Sequence, residues 1–456
     1  MSLRNLVKKF KKEKKTLFTT PTHSQGAFIV PENKKYLGKK IFKRDYSEID
    51  GFDNLSNPTG EILEAEMRAS EIYGSIFSFF LVNGSTSGII ASMLAVLKKN
   101  DKVIVARNSH KAIYNGLVLT GAKPVWLMPE YKTEWDVFEP LEYEYIKATI
   151  ESNPDAKAII LTNPSYEGIA ISDIKAILKY TKEKGLITII DEAHGALWNY
   201  TDRLMTPSIR YSADITIQSL HKTAGALNPS AIMHLSKNSN IKKQNLQNAL
   251  NLITTTSPSY PILLNIENTI EFLASDAGRL KINKLIERID NFKASLAKYK
   301  NIHIYSENND KTKLLVKIDN LTGYKLSEIL SEKYNIEDEM ATSKAVLFLT
   351  GIGTKKLKLT KLKYALINIS KTAIENETPV IQFKKQELPD PITKMTPSEA
   401  FIKESKKISK EESVGMIAKE LIIQYPPGIP IVVPGEVIQK EHLKFLNGKK
   451  DIEVVI

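Results

Sequence analysis

Between residues 60 and 235 the chain alternates short β-branched apolar runs with stretches of helical periodicity. The runs Phe79–Val82, Lys102–Ala106, Pro124–Leu127, Ala158–Leu161, Leu186–Ile190 and Asp214–Gln218 have strand length. The stretches Glu61–Tyr73, Ser87–Leu97 and Ser172–Lys184 carry a helical pattern between them. Strands that alternate with helices predict an α/β unit with a mostly parallel sheet. Their runs are continuously apolar, as when helices cover both faces of the sheet. Beyond this unit the pattern is helical from 240 to about 300, including Pro261–Leu296. Residues 303–375 mix strands (Lys313–Ile318, Val346–Leu349) with amphipathic helices and predict a smaller α+β domain. Lys384–Thr396 is charged, contains prolines and reads as a linker. The last segment holds helices and the strip Tyr425–Pro430, then Pro434-Gly435-Glu436, which suggests packed extended chain. The expected division of the 456 residues is a basic N-terminal arm (1–20), a large domain (21–300), a small α+β domain (301–383), and a linker with a C-terminal domain (384–456).

Absent residue types narrow the chemistry. With no cysteine, a disulfide scaffold, thiol catalysis and Cys-based metal sites are excluded, and no metal is expected. No run approaches the roughly 18 apolar residues of a membrane span. The start, Met1-Ser2-Leu3-Arg4 and then lysines, lacks the apolar core of a secretory signal, so a soluble, cytoplasmic protein is expected. The net charge of +12 comes mostly from lysine, with eight arginines among 64 basic residues. That balance fits an AT-rich coding sequence better than a nucleic-acid footprint, since no base-stacking motif accompanies it. The run Lys8–Lys15 is expected to be a solvated, partly mobile arm.

In open α/β sheets, ligands bind beyond the carboxyl ends of the strands. After Phe79–Val82 comes Asn83-Gly84-Ser85-Thr86-Ser87-Gly88, two glycines around three hydroxyls at the start of a helix. Free N–H groups, the helix dipole and hydroxyl donors there make an anion cradle. The later strands are followed by Arg107-Asn108-Ser109-His110-Lys111, Thr162-Asn163-Pro164-Ser165-Tyr166, Asp191-Glu192-Ala193-His194-Gly195 and Ser219-Leu220-His221-Lys222-Thr223. One such element alone would be an ordinary helix cap or a structural histidine. Three of the seven histidines (His110, His194, His221) falling at one sheet edge is far more specific.

The Asp-Glu-Ala-His string also spells a helicase motif, but a helicase needs a Gly-x-x-x-x-Gly-Lys-Ser/Thr phosphate loop. Gly38-Lys39 and Gly448-Lys449 are each followed by Lys, without a glycine five residues earlier. What remains is an anion cradle, a strand-end Asp191, a Lys222 31 residues later, and a histidine available for stacking. This set is what pyridoxal phosphate requires: a phosphate site, a carboxylate for the pyridine nitrogen, a ring cover and a Schiff-base amine.

Together with Thr20-Pro21-Thr22-His23-Ser24-Gln25-Gly26, Thr255-Thr256-Ser257-Pro258-Ser259-Tyr260 and Pro434-Gly435-Glu436, these strings resemble the bacterial ornithine/lysine/arginine decarboxylases. These are fold-type I pyridoxal-phosphate enzymes, and the likeness runs from about residue 18 to the end. The resemblance implies a PLP-dependent transferase-like fold in a short form without the N-terminal wing domain. It implies that Lys222 bears the cofactor, Asp191 pairs with its ring nitrogen, His110 stacks on the ring and His194 lies beside it. Gly84, Ser85, Thr86, Ser219 and His221 would hold the phosphate. Thr255 or Thr256 would reach the neighbouring subunit's cofactor, which makes a homodimer with shared sites.

The chain departs from the family at Leu197, where a second histidine is common, and at Ala224-Gly225, Asn228-Pro229 and Asp53–Ser56. None of these removes the cofactor chemistry. The implied reaction is decarboxylation of arginine, lysine or ornithine, with an aminotransferase or a catalytically weakened homologue as the alternatives. No nucleic acid or membrane partner is implied. Many aminotransferases grip the substrate carboxylate with a small-domain arginine, and here no arginine follows Arg288. A cationic substrate must also enter a strongly cationic protein, so the mouth of its pocket is expected to be locally acidic.

Overall fold

The computed structural model describes residues 2–13, 15–49, 51–375, 389–424, 429–446 and 449–456. The first element corrects an expectation: residues 3–13 are not a mobile arm but a helix, α1 (Leu3–Glu13), with Leu3, Leu6, Val7 and Phe10 buried. Their i, i+3, i+4, i+7 spacing makes one apolar stripe, and the lysines between them form the exposed face. Phe10 meets the edges of Tyr46 and Phe52 at centroid distances of 5.5 and 4.9 Å. The helix start is held by a buried carboxylate. Glu267 accepts from the Leu3 and Arg4 amides at 3.0 and 3.4 Å and is paired with Arg68 at 2.6 Å. These are two of the N–H groups a helix N-terminus leaves unbonded. Glu267→Ala is therefore expected to lower stability by about 1–3 kcal/mol, read as a lower urea midpoint. An unchanged midpoint would show that α1 is not anchored there.

A short helix, α2 (Pro31–Leu37), precedes α3 (Glu61–Tyr73). The Asp53 carboxylate accepts from the Gly60 and Ile62 amides, both at 2.9 Å, and so caps α3 from upstream.

The large domain holds β1 (Phe77–Leu81), α4 (Gly84–Val96), β2 (Lys102–Ala106), α5 (Lys111–Thr120) and β3 (Lys123–Leu127). A small hairpin, β4 (Tyr131–Lys132) and β5 (Val137–Phe138), leads to α6 (Tyr143–Glu151), β6 (Ala158–Thr162), α7 (Ile174–Glu183) and β7 (Ile187–Asp191). Then come β8 (Ile215–Ser219), α8 (Leu220–Thr223) and β9 (Ala231–Leu235). The seven-stranded sheet runs β1-β9-β8-β7-β6-β2-β3. Its pairs from β8 to β3 are parallel, and β9 is antiparallel to both neighbours. Alternate side chains cover the two faces. Val103, Val105, Ile160 and Ile189 join one core cluster, and Ile104, Ile159, Leu161 and Ile190 another. All six expected strands form, shifted by at most two residues at either end. The sequence reading missed β9, an Ala-Ile-Met-His-Leu run with a buried histidine in it.

Helices α9 (Lys243–Ile253), α10 (Tyr260–Ala274) and α11 (Asp276–Leu296) follow. The region read as continuously helical breaks at Ser275, whose extended backbone and side chain cap α11 by accepting from the Gly278 amide. The small domain is an antiparallel sheet of β10 (Ile302–Ile304), β11 (Lys313–Ile318), β12 (Met340–Ala341) and β13 (Val346–Leu349), in the order β10-β11-β13-β12. Helices α12 (Gly323–Tyr334) and α13 (Lys356–Glu375) belong to it.

The C-terminal part has α14 (Pro397–Ile402) and two antiparallel pairs. These are β14 (Ser405–Ser409) with β17 (Asp451–Val455), and β15 (Ile422–Gln424) with β16 (Ile429–Val432). The first five residues of the expected linker and most of the Tyr425–Pro430 strip lie outside the described residues. Among the described residues, no helix is long and apolar enough to cross a membrane.

Candidate active site

The parallel strands deliver their carboxyl ends to one edge. There a cavity of about 440 Å³ is lined by Ser85, His110, Asp191, His194 and Lys222, each of them anticipated from the sequence. Asp191 is the last residue of β7, and Lys222 sits in the single turn α8 directly after β8. Gly84 begins α4 with φ +73°, a left-handed backbone that suits glycine. Next to it, the Ser219 hydroxyl donates to Ser85 Oγ at 2.9 Å, so two strand ends share one hydroxyl pair at a helix start. Thr86 follows in the first turn of α4. His221 turns its Nδ1 to the Ser230 carbonyl, 2.9 Å away, and does not line the cavity. Thr255 and Thr256 are exposed and border a separate small pocket beside Glu66, not the Lys222 cavity.

The reactive groups are closely placed. Lys222 Nζ lies 2.8 Å from His194 Nε2. The Tyr166 ring packs edge-on against His194, with centroids 5.0 Å apart, and its centroid is 6.0 Å from Lys222 Nζ. Burial pushes the Lys222 amine below its ordinary pKa. Asp191 opposes that shift, Lys313 adds to it, and Glu339 opposes it. Burial also holds His194 well below the usual imidazole range, helped by the charges of Lys222 and Lys313. His110, the N-cap of α5, accepts from the Ala112 amide at 3.1 Å. Its pKa is lowered by burial against the pull of Asp191, although its ring is open to the cavity. Asp191 Oδ1 accepts from the Ala193 amide at 3.1 Å. Glu192, the acidic neighbour in the rejected helicase reading, points away and accepts from the Ser208 amide and the Gln218 side chain.

Four further residues at or beside the site escaped the sequence reading. Tyr166 was visible at a strand end but carried no assigned role, and its hydroxyl donates to Glu339. Glu339 and Glu167 line the cavity with Asp191, which puts three carboxylates in a wall that also holds Lys111 and Lys222. Glu339 comes from the loop ahead of β12, where no local motif marks it. The Lys313 ammonium, fully buried on β11, donates to the His194 carbonyl. A lysine amid an apolar strand run was its one signal.

Known proteins share the sequence and the fold of this chain. The family described as Orn/Lys/Arg decarboxylase, major domain, matches residues 2–317, and its C-terminal domain matches residues 381–453. An arginine decarboxylase of Bacillus subtilis is 30% identical over 452 residues, spanning 96% of this chain and 91% of that protein. An arginine decarboxylase of Halalkalibacterium halodurans is 30% identical over 445 residues, spanning 94% and 89%. The crystal structure of the Francisella novicida lysine decarboxylase superposes with a TM-score of 0.83 at 20% identity, covering all of this chain and 81% of that one, a likeness of fold. The chain belongs to the Orn/Lys/Arg decarboxylase family and is a decarboxylase.

Proposed function

We propose that the chain decarboxylates arginine, lysine or ornithine with pyridoxal phosphate bound in this cavity. The observation that carries the reading is the half-buried Lys222 amine, 2.8 Å from His194 Nε2, in a cavity that also presents Asp191, His110 and Glu339. The donor set suits the cofactor. The Ser85–Ser219 hydroxyl pair at the start of α4 offers a phosphate site. Among the described residues His194 Nδ1 is buried without a hydrogen-bond partner, a polar atom for which a bound oxygen would provide one.

On this reading Lys222 holds the cofactor, Asp191 faces its ring nitrogen, His110 covers its face, and Gly84, Thr86 and His221 shape the phosphate end. When bound, the cofactor supplies a protonated pyridine ring that draws electrons from the breaking bond to the substrate carboxylate. Lys222 and His194 are placed to hold a proton between Nζ and Nε2 and to return it at the α-carbon. Burial lowers the pKa of both and so favours the uncharged amine and the uncharged imidazole. Among the described residues the cavity lining contains no arginine, so none of them offers a substrate carboxylate a guanidinium clamp. Such a clamp would stabilise the ground state more than a transition state that is losing its charge. This disfavours the aminotransferase alternative.

The exposed Thr255–Ser257 loop, and the exposed Phe18, Phe28 and Tyr36, support a homodimer in which that loop reaches a second subunit's cavity.

Glu339 is the carboxylate we assign to the distal cation of the substrate, with Tyr166 orienting it. Arginine, lysine and ornithine should be supplied in turn to the purified chain with pyridoxal phosphate, and amine and carbon dioxide measured. One of the three is expected to be turned over. Glu339→Gln is expected to raise its KM about tenfold or more, as when a charge-assisted hydrogen bond is lost. Keto acid in place of amine would overturn the decarboxylase reading, and an unchanged KM would remove Glu339 from it.

A further inference from the structure

A buried lysine is an expensive way to fill a strand position. A methionine would occupy the same space without desolvating a charge. Lys313 is fully buried at the start of β11, and the surroundings are fitted to its ammonium. The group has three donors and three oxygens near it: Thr312 Oγ1 at 3.2 Å, the His194 carbonyl at 3.4 Å and Asp310 Oδ2 at 3.9 Å. The carboxylate that balances it grips the same stretch of chain, since Asp310 Oδ2 accepts from the Trp198 indole at 2.8 Å. Its other oxygen accepts from the Thr312 amide and hydroxyl at 2.8 and 2.7 Å.

Space for the lysine stem is provided from the opposite side. A Cβ on Gly168 would lie 2.4 Å from Lys313 Cγ, and the residue has φ +94°. The backbones on either side are bonded together through Asp310 N to Gly168 O and Ala170 N to Asn308 O, both 2.8 Å.

We propose that Lys313 is a positioning residue: from the small domain it holds the His194 carbonyl, and thereby sets the imidazole Nε2 against Lys222 Nζ. A methionine could pack there but could neither direct that bond nor place a positive charge beside the pair. The charge matters because Lys222 is also faced by Asp191, His194 and Glu339, with His110 and Tyr166 nearby. The Lys313 charge opposes protonation of Lys222, and Asp310 and Glu339 work against the burial that lowers the pKa of Lys313 itself. Lys222 and His194 are thus tuned from beneath by a group that touches neither reacting atom.

The inference rests on Lys222 being the reactive amine of the proposed function. Its test uses the full-length chain, treated with hydroxylamine and dialysed, then arylated with dinitrofluorobenzene across a pH series. The extent of reaction at Lys222 is read by peptide mass spectrometry. In Lys313→Met the midpoint for Lys222 is expected to move up by about 0.5–1 pH unit, the sign of removing a nearby like charge. With cofactor restored, kcat is expected to fall by about ten- to a hundredfold, with KM changed much less. Lys313→Arg keeps the charge and is expected to leave the midpoint near that of the parent.

A folded Lys313→Met with an unmoved midpoint and a kcat within about threefold of the parent would overturn the proposal, whatever its thermal stability. So would an upward midpoint shift in Lys313→Arg, which decides the matter if Lys313→Met does not fold. If Lys222 shows no titrating reactivity in the parent, the functional reading fails with this one. If Lys222 reacts but ignores position 313, only this one fails.

Discussion

Replacing Lys222 with alanine is expected to abolish amine and carbon dioxide release from whichever basic amino acid the parent turns over. Removing a group that acts as a unit with its neighbours costs rates on the order of 10⁴-fold or more. Lys222 meets that description: its Nζ is 2.8 Å from His194 Nε2, and Asp191 shares its cavity. The visible absorbance of a Schiff base should be missing as well, even with excess pyridoxal phosphate. Stability is not expected to collapse, because the side chain projects into an existing cavity and its truncation enlarges a wet site. The variant should therefore remain folded by circular dichroism. Amine release near the parental rate from folded Lys222→Ala would sink the assignment of the site.

The second large effect is expected far from the reacting groups. Arg107 and Glu436 form a two-pronged ion pair, Nη1–Oε1 at 2.6 Å and Nη2–Oε2 at 2.8 Å, with both side chains nearly fully buried. Arg107 Nη2 also donates to the Ile431 carbonyl at 3.1 Å, and Glu436 Oε2 accepts from the Val433 amide at 2.8 Å. The guanidinium lies 4.7 Å from the Trp126 ring centre. Glu436→Ala would strand a buried cation, at a cost of about 3–5 kcal/mol. The loss should appear in a urea titration as a transition at lower denaturant. A double variant with methionine at both positions should recover most of it, because an apolar pair of similar volume needs no desolvated charges.

Arg107 also begins the turn that carries His110, and the Tyr114 hydroxyl holds its carbonyl at 2.7 Å. Cofactor affinity should therefore weaken in Glu436→Ala. A stability change under about 1 kcal/mol would refute the role given to the pair.

Much of the site could be read from sequence because parallel α/β sheets gather strand ends. Once β2, β6, β7 and β8 were placed, His110, Tyr166, Asp191 and Lys222 had to fall at one edge. Residues brought in by a second domain carried no such signal. Glu339 reaches the cavity, and Lys313 the His194 carbonyl, only through the docking of the small sheet, which local periodicity does not encode. The N-terminal helix was hidden for another reason: its lysines dominate the composition, and the four apolar residues that bury it are legible only as a helical stripe. Antiparallel β9 escaped because its pairing with β1 and β8 is non-local. Thr255 and Thr256 are the converse case, a recognisable string that borders a separate pocket in this chain and not the Lys222 cavity.

The seam between the large and small domains has a mechanical consequence. Swinging the small sheet away would have to break the Gly168–Asp310 and Ala170–Asn308 backbone bonds, the Trp198–Asp310 bond and the Lys313 contact together. The four bonds act together, so loss of any one leaves the other three holding the small sheet, and with it Glu339, against the cavity.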